Sequence, residues 1–117
     1  RRSSDLKSRM LAGEIYTLSK SFPKEDLYGI TSQIRRSSLS IPCNIAEGSA
    51  RETKKEYVRF IIIALGSTAE LKTQLIIAKD IKILDELNYS RIIKKLDEIG
   101  RMLKGLERSI RKYLPAD

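Results

Sequence analysis

The sequence predicts an all-α protein, an antiparallel up-down-up-down bundle of four helices. Apolar residues recur at spacings of three and four along four long segments, which is the period of an amphipathic helix. Only 3 prolines and 6 glycines interrupt the 117 residues, and no segment alternates as a strand does. Short links favour antiparallel neighbours, so we expect one domain over residues 1–117 with its core at about 4–114.

The boundaries of the expected helices follow from capping residues and prolines. The expected ranges are about 4–21, from 24–28 to 47, 52–81 and 86–113. Ser4 and Asp5 are residue types that cap the start of helix one, and Asp85 has the same role before helix four. Pro23 and Pro115 mark the ends of those two helices, because proline disfavours helical geometry in the residue before it.

The second helix contains a proline and is followed by a glycine. Pro42 lacks the N–H that a helix interior uses, so we expect a break or bend one turn earlier, near Ser38. Gly48 is expected to end the helix in a left-handed conformation.

The third segment has more apolar residues than one packing face needs. FIIIAL at 60–65 and LIIA at 75–78 place apolar side chains on more than one side of the helix. A central helix buried in a large core would explain this surplus, and so would a second face packed against another subunit. We favour the second explanation and expect a homo-oligomer, with cyclic symmetry.

The composition removes most catalytic and metal chemistry. The chain has no histidine, so neither a Ser-His-Asp triad nor a histidine metal site can form. Cys43 is the single cysteine, which fits a reducing cytoplasm, and we expect a small buried hydrophobe rather than a reactive thiol. Gly66 and Ser67 lie inside a helix and are expected to permit close helix approach. We predict no enzyme, no cofactor, no metal and no membrane span.

Two carboxylates on largely apolar helices need partners if they are buried. Glu47 ends helix two, and Glu70 lies in helix three. A buried carboxylate requires a cation or several hydrogen-bond donors, and Arg35, Arg36 and Asn44 are the obvious partners. We expect a structural polar network of Arg35, Asn44, Glu47 and Glu70, the less favoured alternative being a catalytic acid.

The net charge of +8, with a pI near 9.7, is concentrated in two groups of basic residues. The first group surrounds the expected turn between helices two and three: Arg35, Arg36, Arg51, Lys54, Lys55 and Arg59. The second group runs along helix four: Arg91, Lys94, Lys95, Arg101, Lys104, Arg108, Arg111 and Lys112. A solvated surface would explain them. A surface that contacts nucleic-acid phosphates explains them equally well.

Three sequence motifs lie within Phe22–Leu75; in chain order they are QIRR, SIPCNIAEG and GSTAEL. They resemble the four-helix-bundle family encoded in intervening sequences of bacterial 23S ribosomal RNA genes. The similarity extends more loosely to Tyr113. It implies an antiparallel four-helix bundle without enzymatic activity. Departures are small: Cys43 stands where a smaller residue is usual, Ala50 replaces a frequent glycine, and Lys82 interrupts the link before helix four.

The resemblance also implies partners. Related proteins assemble as barrel-shaped homopentamers, and the accessory protein of diversity-generating retroelements is a similar basic pentamer that binds nucleic acid and a reverse transcriptase. We therefore expect a cytoplasmic homo-oligomer, of five subunits by this resemblance, that binds RNA or DNA through backbone phosphates. The alternative is a scaffold that contacts a protein partner, with its charge serving only solubility.

Overall fold

The computed structural model describes residues 2–115, which form four long helices packed side by side. The helices are α1 (Arg2–Ser19), α2 (Ser32–Ser49), α3 (Lys54–Asp80) and α4 (Glu86–Arg111). Each helix packs against its neighbours in the chain, and α1 also packs against α4, which closes the bundle. The body measures 49 × 24 × 23 Å. The predicted antiparallel four-helix bundle is confirmed.

The starts of α3 and α4 are capped by side chains. The Thr53 hydroxyl accepts a hydrogen bond from the Glu56 amide at 3.1 Å. The Asp85 carboxylate accepts a hydrogen bond from the backbone amide of Asn88 at 2.7 Å, so Asp85 caps α4 as the sequence predicts. Each cap satisfies an amide that has no partner within the helix. The caps predicted for α1 were wrong, because that helix already includes Arg2, and Ser4 and Asp5 lie within its first turns.

The core is built mainly from isoleucine and leucine, with fully buried residues from all four helices. Ile15, Ile41, Leu71 and Leu103 are examples, each at most 2% exposed. In α1 the core side includes two serines. Ser4 and Ser8 are buried there, whereas Leu6 is 49% and Met10 is 65% exposed.

Proline does not break α2 where the sequence predicted. The helix is continuous through Pro42, which is buried, and no break occurs near Ser38. A proline inside a helix removes one hydrogen bond and adds a ring clash. Here α2 is held against both α1 and α3. The irregular backbone precedes α2 instead, as a 3₁₀ turn at Lys24–Asp26 and a π turn at Leu27–Thr31.

Gly48 is present for packing and not for a left-handed turn. It lies within α2, and no glycine of residues 2–115 has a positive φ, so the predicted cap was wrong. A Cβ at this position would lie 2.7 Å from the Cβ of Phe60 and 3.3 Å from the carbonyl oxygen of Tyr57. The missing side chain therefore lets α2 and α3 approach closely. Gly66, predicted for that role, is exposed and has nothing within 4 Å of a built Cβ.

Candidate nucleic-acid interface

Three cations of α4 and the residue that follows its last turn, Lys112, lie on the side of the helix that faces away from the core. We call Lys94, Arg101, Arg108 and Lys112 the outer row; all four are exposed. Intervals of seven, seven and four residues return them to the same side of the helix. At 1.5 Å per residue, the row is about 27 Å long. Among the ion pairs of residues 2–115, none involves a member of the outer row.

Two cations on the α1 side of α4 share one carboxylate. Glu14 of α1 pairs with Arg91 and with Lys95, whose Nζ lies 2.8 Å from Glu14 Oε1. The two positive charges and the single negative charge form a three-residue cluster between the helices. Arg91 and Lys95 are therefore less available to an external phosphate than the sequence alone suggested.

A second carboxylate holds two cations of the C-terminal half of α4. Glu107 accepts a hydrogen bond from Arg111 Nε at 2.9 Å and one from Lys104 Nζ at 3.4 Å. The hydrogen bond from Arg111 contributes most to lowering the pKa of Glu107, while partial burial opposes the shift and Lys104 adds to it. Lys104 and Arg111, two of the cations predicted along helix four, thus contact Glu107.

Two further acids of α4 pair with lysines of neighbouring helices. Asp97 accepts a hydrogen bond from Lys72 of α3 at 3.0 Å, and Glu98 pairs with Lys7 of α1 at 3.0 Å. All the aspartates and glutamates in the body of α4 thus serve contacts between or within helices. Within residues 2–115, no carboxylate forms an ion pair with the outer row.

The turn between α2 and α3 adds cations at the end of the bundle where α4 finishes. Lys54 lies over the ring of Tyr113, with Nζ 5.6 Å from the ring centroid, which connects the two groups predicted from the sequence. Arg51 instead pairs with Glu47 at 2.6 Å. Lys55 and Arg59 are exposed at the start of α3.

Two predicted members of that turn group lie elsewhere. Arg35 and Arg36 are in the first turns of α2, which is continuous, so about 22 Å of helix separates them from Arg51. Arg35 donates a hydrogen bond from Nε to the Ser19 hydroxyl at 2.7 Å, and its guanidinium lies 4.4 Å from the centroid of the Tyr16 ring. The sequence prediction was wrong here because it assumed a break at Pro42.

The predicted four-residue polar network does not form. Arg35 bonds to Ser19 and Glu47 to Arg51, as described above, and Glu70 is exposed. The Asn44 amide donates to the carbonyl and the hydroxyl of Ser40, at 2.8 and 2.9 Å.

A smaller polar group joins α2 to α3 instead. The Ser40 hydroxyl lies 2.7 Å from that of Ser67, which is buried. The carboxylates are not needed there, because serine and asparagine satisfy one another. In the sequence, Ser40 and Ser67 are small polar residues on two consecutive helices that were expected to be antiparallel. This pattern could have indicated the contact.

An open apolar groove between α1 and α2 was not predicted. It has a volume of about 570 Å³, and its lining includes Tyr16, Leu39, Pro42 and Cys43. Cys43 is exposed, so its predicted burial was wrong. Small residues on this side of α2 could have indicated the groove from the sequence, because they leave a space that larger side chains would fill.

The residues described here show no arrangement suited to metal binding. Across residues 2–115, no group of three or more histidine, cysteine, aspartate or glutamate side chains could hold a metal ion. By length and composition α3 is the one helix in this range long and apolar enough to cross a membrane. In the bundle, one side of α3 forms the core while Ile62, Ile63 and Ile77 are exposed on the other.

Comparison with known proteins gives a family and a fold. The model of the 23S rRNA-intervening sequence protein family matches residues 6–105. A crystal structure of a protein of unknown function from the S23 ribosomal protein family of Bacteroides thetaiotaomicron is similar, with a TM-score of 0.84 and 24% identity. The alignment covers 90% of this chain and 98% of that one. Comparison with curated proteins gives no match.

Proposed function

The chain belongs to the 23S rRNA-intervening sequence protein family, and we propose that it is a non-enzymatic, basic, homo-oligomeric bundle that binds RNA or DNA through backbone phosphates. The outer row of α4 is the observation that supports this proposal. Its four cations are exposed and form no ion pair within residues 2–115, whereas neighbouring cations of α4 pair with carboxylates.

The chemistry of the outer row favours phosphates over bases. Lysine and arginine bind phosphate oxygens by charge, and the binding releases counterions from the nucleic acid. The row contains no aromatic side chain on which a base could stack. Such contacts give affinity without reading sequence, so RNA and DNA share the recognised group. In an oligomer, each subunit would add a row to the same assembly.

The test compares two triple variants that remove the same charge from α4. In the outer-row variant, Lys94, Arg101 and Arg108 become Gln. In the control, the paired cations Arg91, Lys95 and Lys104 become Gln. Binding of labelled duplex RNA and DNA is measured by fluorescence anisotropy at several salt concentrations. We expect the outer-row variant to lose affinity and its slope of log K against log salt to fall by about 2 to 3.

The control should retain most of the affinity and of the salt slope, because its cations already hold carboxylates. Equal losses in both variants would contradict the assignment to the outer row. Absence of binding by the wild-type protein at low salt would contradict the proposal altogether, and would favour the alternative of a scaffold that contacts a protein partner. Circular dichroism of both variants checks that the helices are intact.

A further inference from the structure

A small recess opens at the end of the bundle where α4 finishes, beside the turn that joins α2 to α3. Its volume is about 240 Å³. One wall comes from the stretch between Ser49 and Tyr57, and the other comes from the end of α4, between Ser109 and Tyr113. We call this space the end recess.

The end recess lies beside the C-terminal end of the outer row. Arg108 and Lys112, the last two cations of the row, each directly precede a residue that lines the recess, Ser109 and Tyr113. Tyr113 belongs to a turn that follows the helix, in which its amide donates a hydrogen bond to the Ile110 carbonyl at 3.1 Å. A strand whose phosphates lie along the row therefore brings its next nucleotide to the recess.

The charges around the end recess balance, in contrast to those of the outer row. Arg51 lines the recess and pairs with Glu47 at 2.6 Å. The other charged lining residues are Lys54 and Glu52, one of each sign. A phosphate gains little from balanced charges, whereas a nucleobase is uncharged and has both donors and acceptors on its edges. The balance of charge therefore favours a base over a phosphate in this space.

The lining offers a base both a ring and polar groups. Tyr113 is 72% exposed, and an exposed tyrosine ring is a surface on which a base can stack. Lys54 Nζ lies 5.6 Å from the centroid of that ring. The exposed hydroxyl of Ser109 can donate or accept a hydrogen bond at the edge of a base. The Ser49 hydroxyl, which donates to the Ala46 carbonyl at 2.9 Å, can accept one.

We propose that the end recess holds an unpaired nucleobase of the nucleic acid whose backbone lies along the outer row. Such binding depends on the proposed phosphate contacts of the row, on which this inference rests. Bases inside a duplex are paired and stacked, so only an unpaired base reaches Tyr113 without the cost of leaving the stack. The protein therefore binds a duplex with an unpaired tail more tightly than a blunt duplex. Every base has a ring face, so RNA and DNA share this preference.

The test uses one duplex in three forms: blunt, with a short unpaired tail, and with the same tail made of abasic nucleotides. The two tails have the same phosphates, so the difference between their affinities measures contacts to bases alone. Fluorescence anisotropy is recorded with RNA and with DNA. We expect the tail with bases to bind about tenfold more tightly than the abasic tail, which is a typical contribution of one stacked base.

Tyr113→Ala should bind the two tails with equal affinity, because the stacking surface is lost. Tyr113→Phe should keep the tenfold preference, since the ring remains. The matched control is Tyr28→Ala, which removes a tyrosine that is 93% exposed in the turn before α2, outside the recess. This control should also keep the preference.

Equal affinity of the wild-type protein for the two tails would overturn base binding in the end recess and leave the outer row standing. A tenfold preference that survives in Tyr113→Ala would locate the base contact elsewhere and would also overturn the assignment. Absence of binding to all three forms of the duplex at low salt would overturn phosphate binding by the outer row and, with it, this site.

Discussion

At the scale of single residues, two glycines of this chain lie in opposite environments. Gly48 is buried where α2 meets α3, and a Cβ there would lie 2.7 Å from the Cβ of Phe60. Gly105 is exposed in α4 with free space around it. Alanine favours helix formation at both sites. Only the neighbouring helix distinguishes them.

We therefore expect Gly48→Ala to lower the free energy of unfolding by about 1 to 3 kcal/mol, because overpacking moves α2 away from α3. Gly105→Ala is the control and should raise it by about 0.5 to 1 kcal/mol through helix propensity. Urea denaturation followed by circular dichroism measures both values. A stabilised Gly48→Ala variant would show that the two helices can separate at no cost.

At the scale of the element, α4 has three kinds of surface around its circumference: the core side, the flanks with ion pairs, and the outer row. Ile92, Leu96, Ile99 and Leu103 are at most 2% exposed and form the core side. Carboxylates at the flanks pair with neighbouring cations, and the outer row takes part in no ion pair of the described range 2–115. Glu107 is the clearest flank residue, since it bonds to both Lys104 and Arg111.

The lowered pKa of Glu107 predicts a pH-dependent stability. Its ionised form is favoured in the folded protein, so the contribution is present above the ordinary pKa of 4.5 and is lost as pH falls through the lower folded value. We expect Glu107→Gln to reduce the free energy of unfolding at pH 7 by less than about 1 kcal/mol, as partly exposed ion pairs contribute little.

Thermal denaturation of the wild type and Glu107→Gln at several pH values measures this effect. The two proteins should become equally stable under acid conditions, where the wild-type carboxyl group is protonated. A difference that stays constant across the pH range would contradict the electrostatic origin and would indicate a packing effect of the substitution.

At the scale of the whole molecule, α3 has more apolar residues than the core of one bundle buries. One side of the helix supplies the core, and the other leaves Ile62, Ile63 and Ile77 exposed. If copies assemble through that side, the outer rows of several subunits act on one nucleic acid. Affinity then depends on assembly as well as on the charge of each subunit.

We expect Ile63→Asp to remain folded, to sediment as a monomer and to bind a long duplex about a hundredfold more weakly, because avidity is lost while every outer row is intact. Leu87→Asp is the control, with the same change in charge at a residue 82% exposed in the first turn of α4. It should keep both the assembly and the affinity. A monomeric Ile63→Asp variant with wild-type affinity would show that binding needs no assembly.

The helices and most of their ends were predictable from the sequence, because they depend on local chemistry. The period of the apolar residues defines four helices, and Asp85 caps α4 as expected. The same local reasoning was wrong at Pro42, where contacts with α1 and α3 accompany a continuous helix. It also missed the burial of Ser4 and Ser8 in α1, since an apolar pattern assigns such positions to larger side chains.

The amino-acid sequence by itself determined the helical fold, the positive charge and the absence of histidine chemistry. Only the tertiary structure decided which cations of residues 2–115 form ion pairs, because Glu14 from another helix and Glu107 from the same one each pair with two neighbours of the outer row. It also moved Arg35 away from the α2–α3 turn and exposed Cys43 in a groove. The composition of a segment and the period of its apolar residues are properties of that segment alone. Ion pairing and the solvent exposure of side chains depend on which segments pack together.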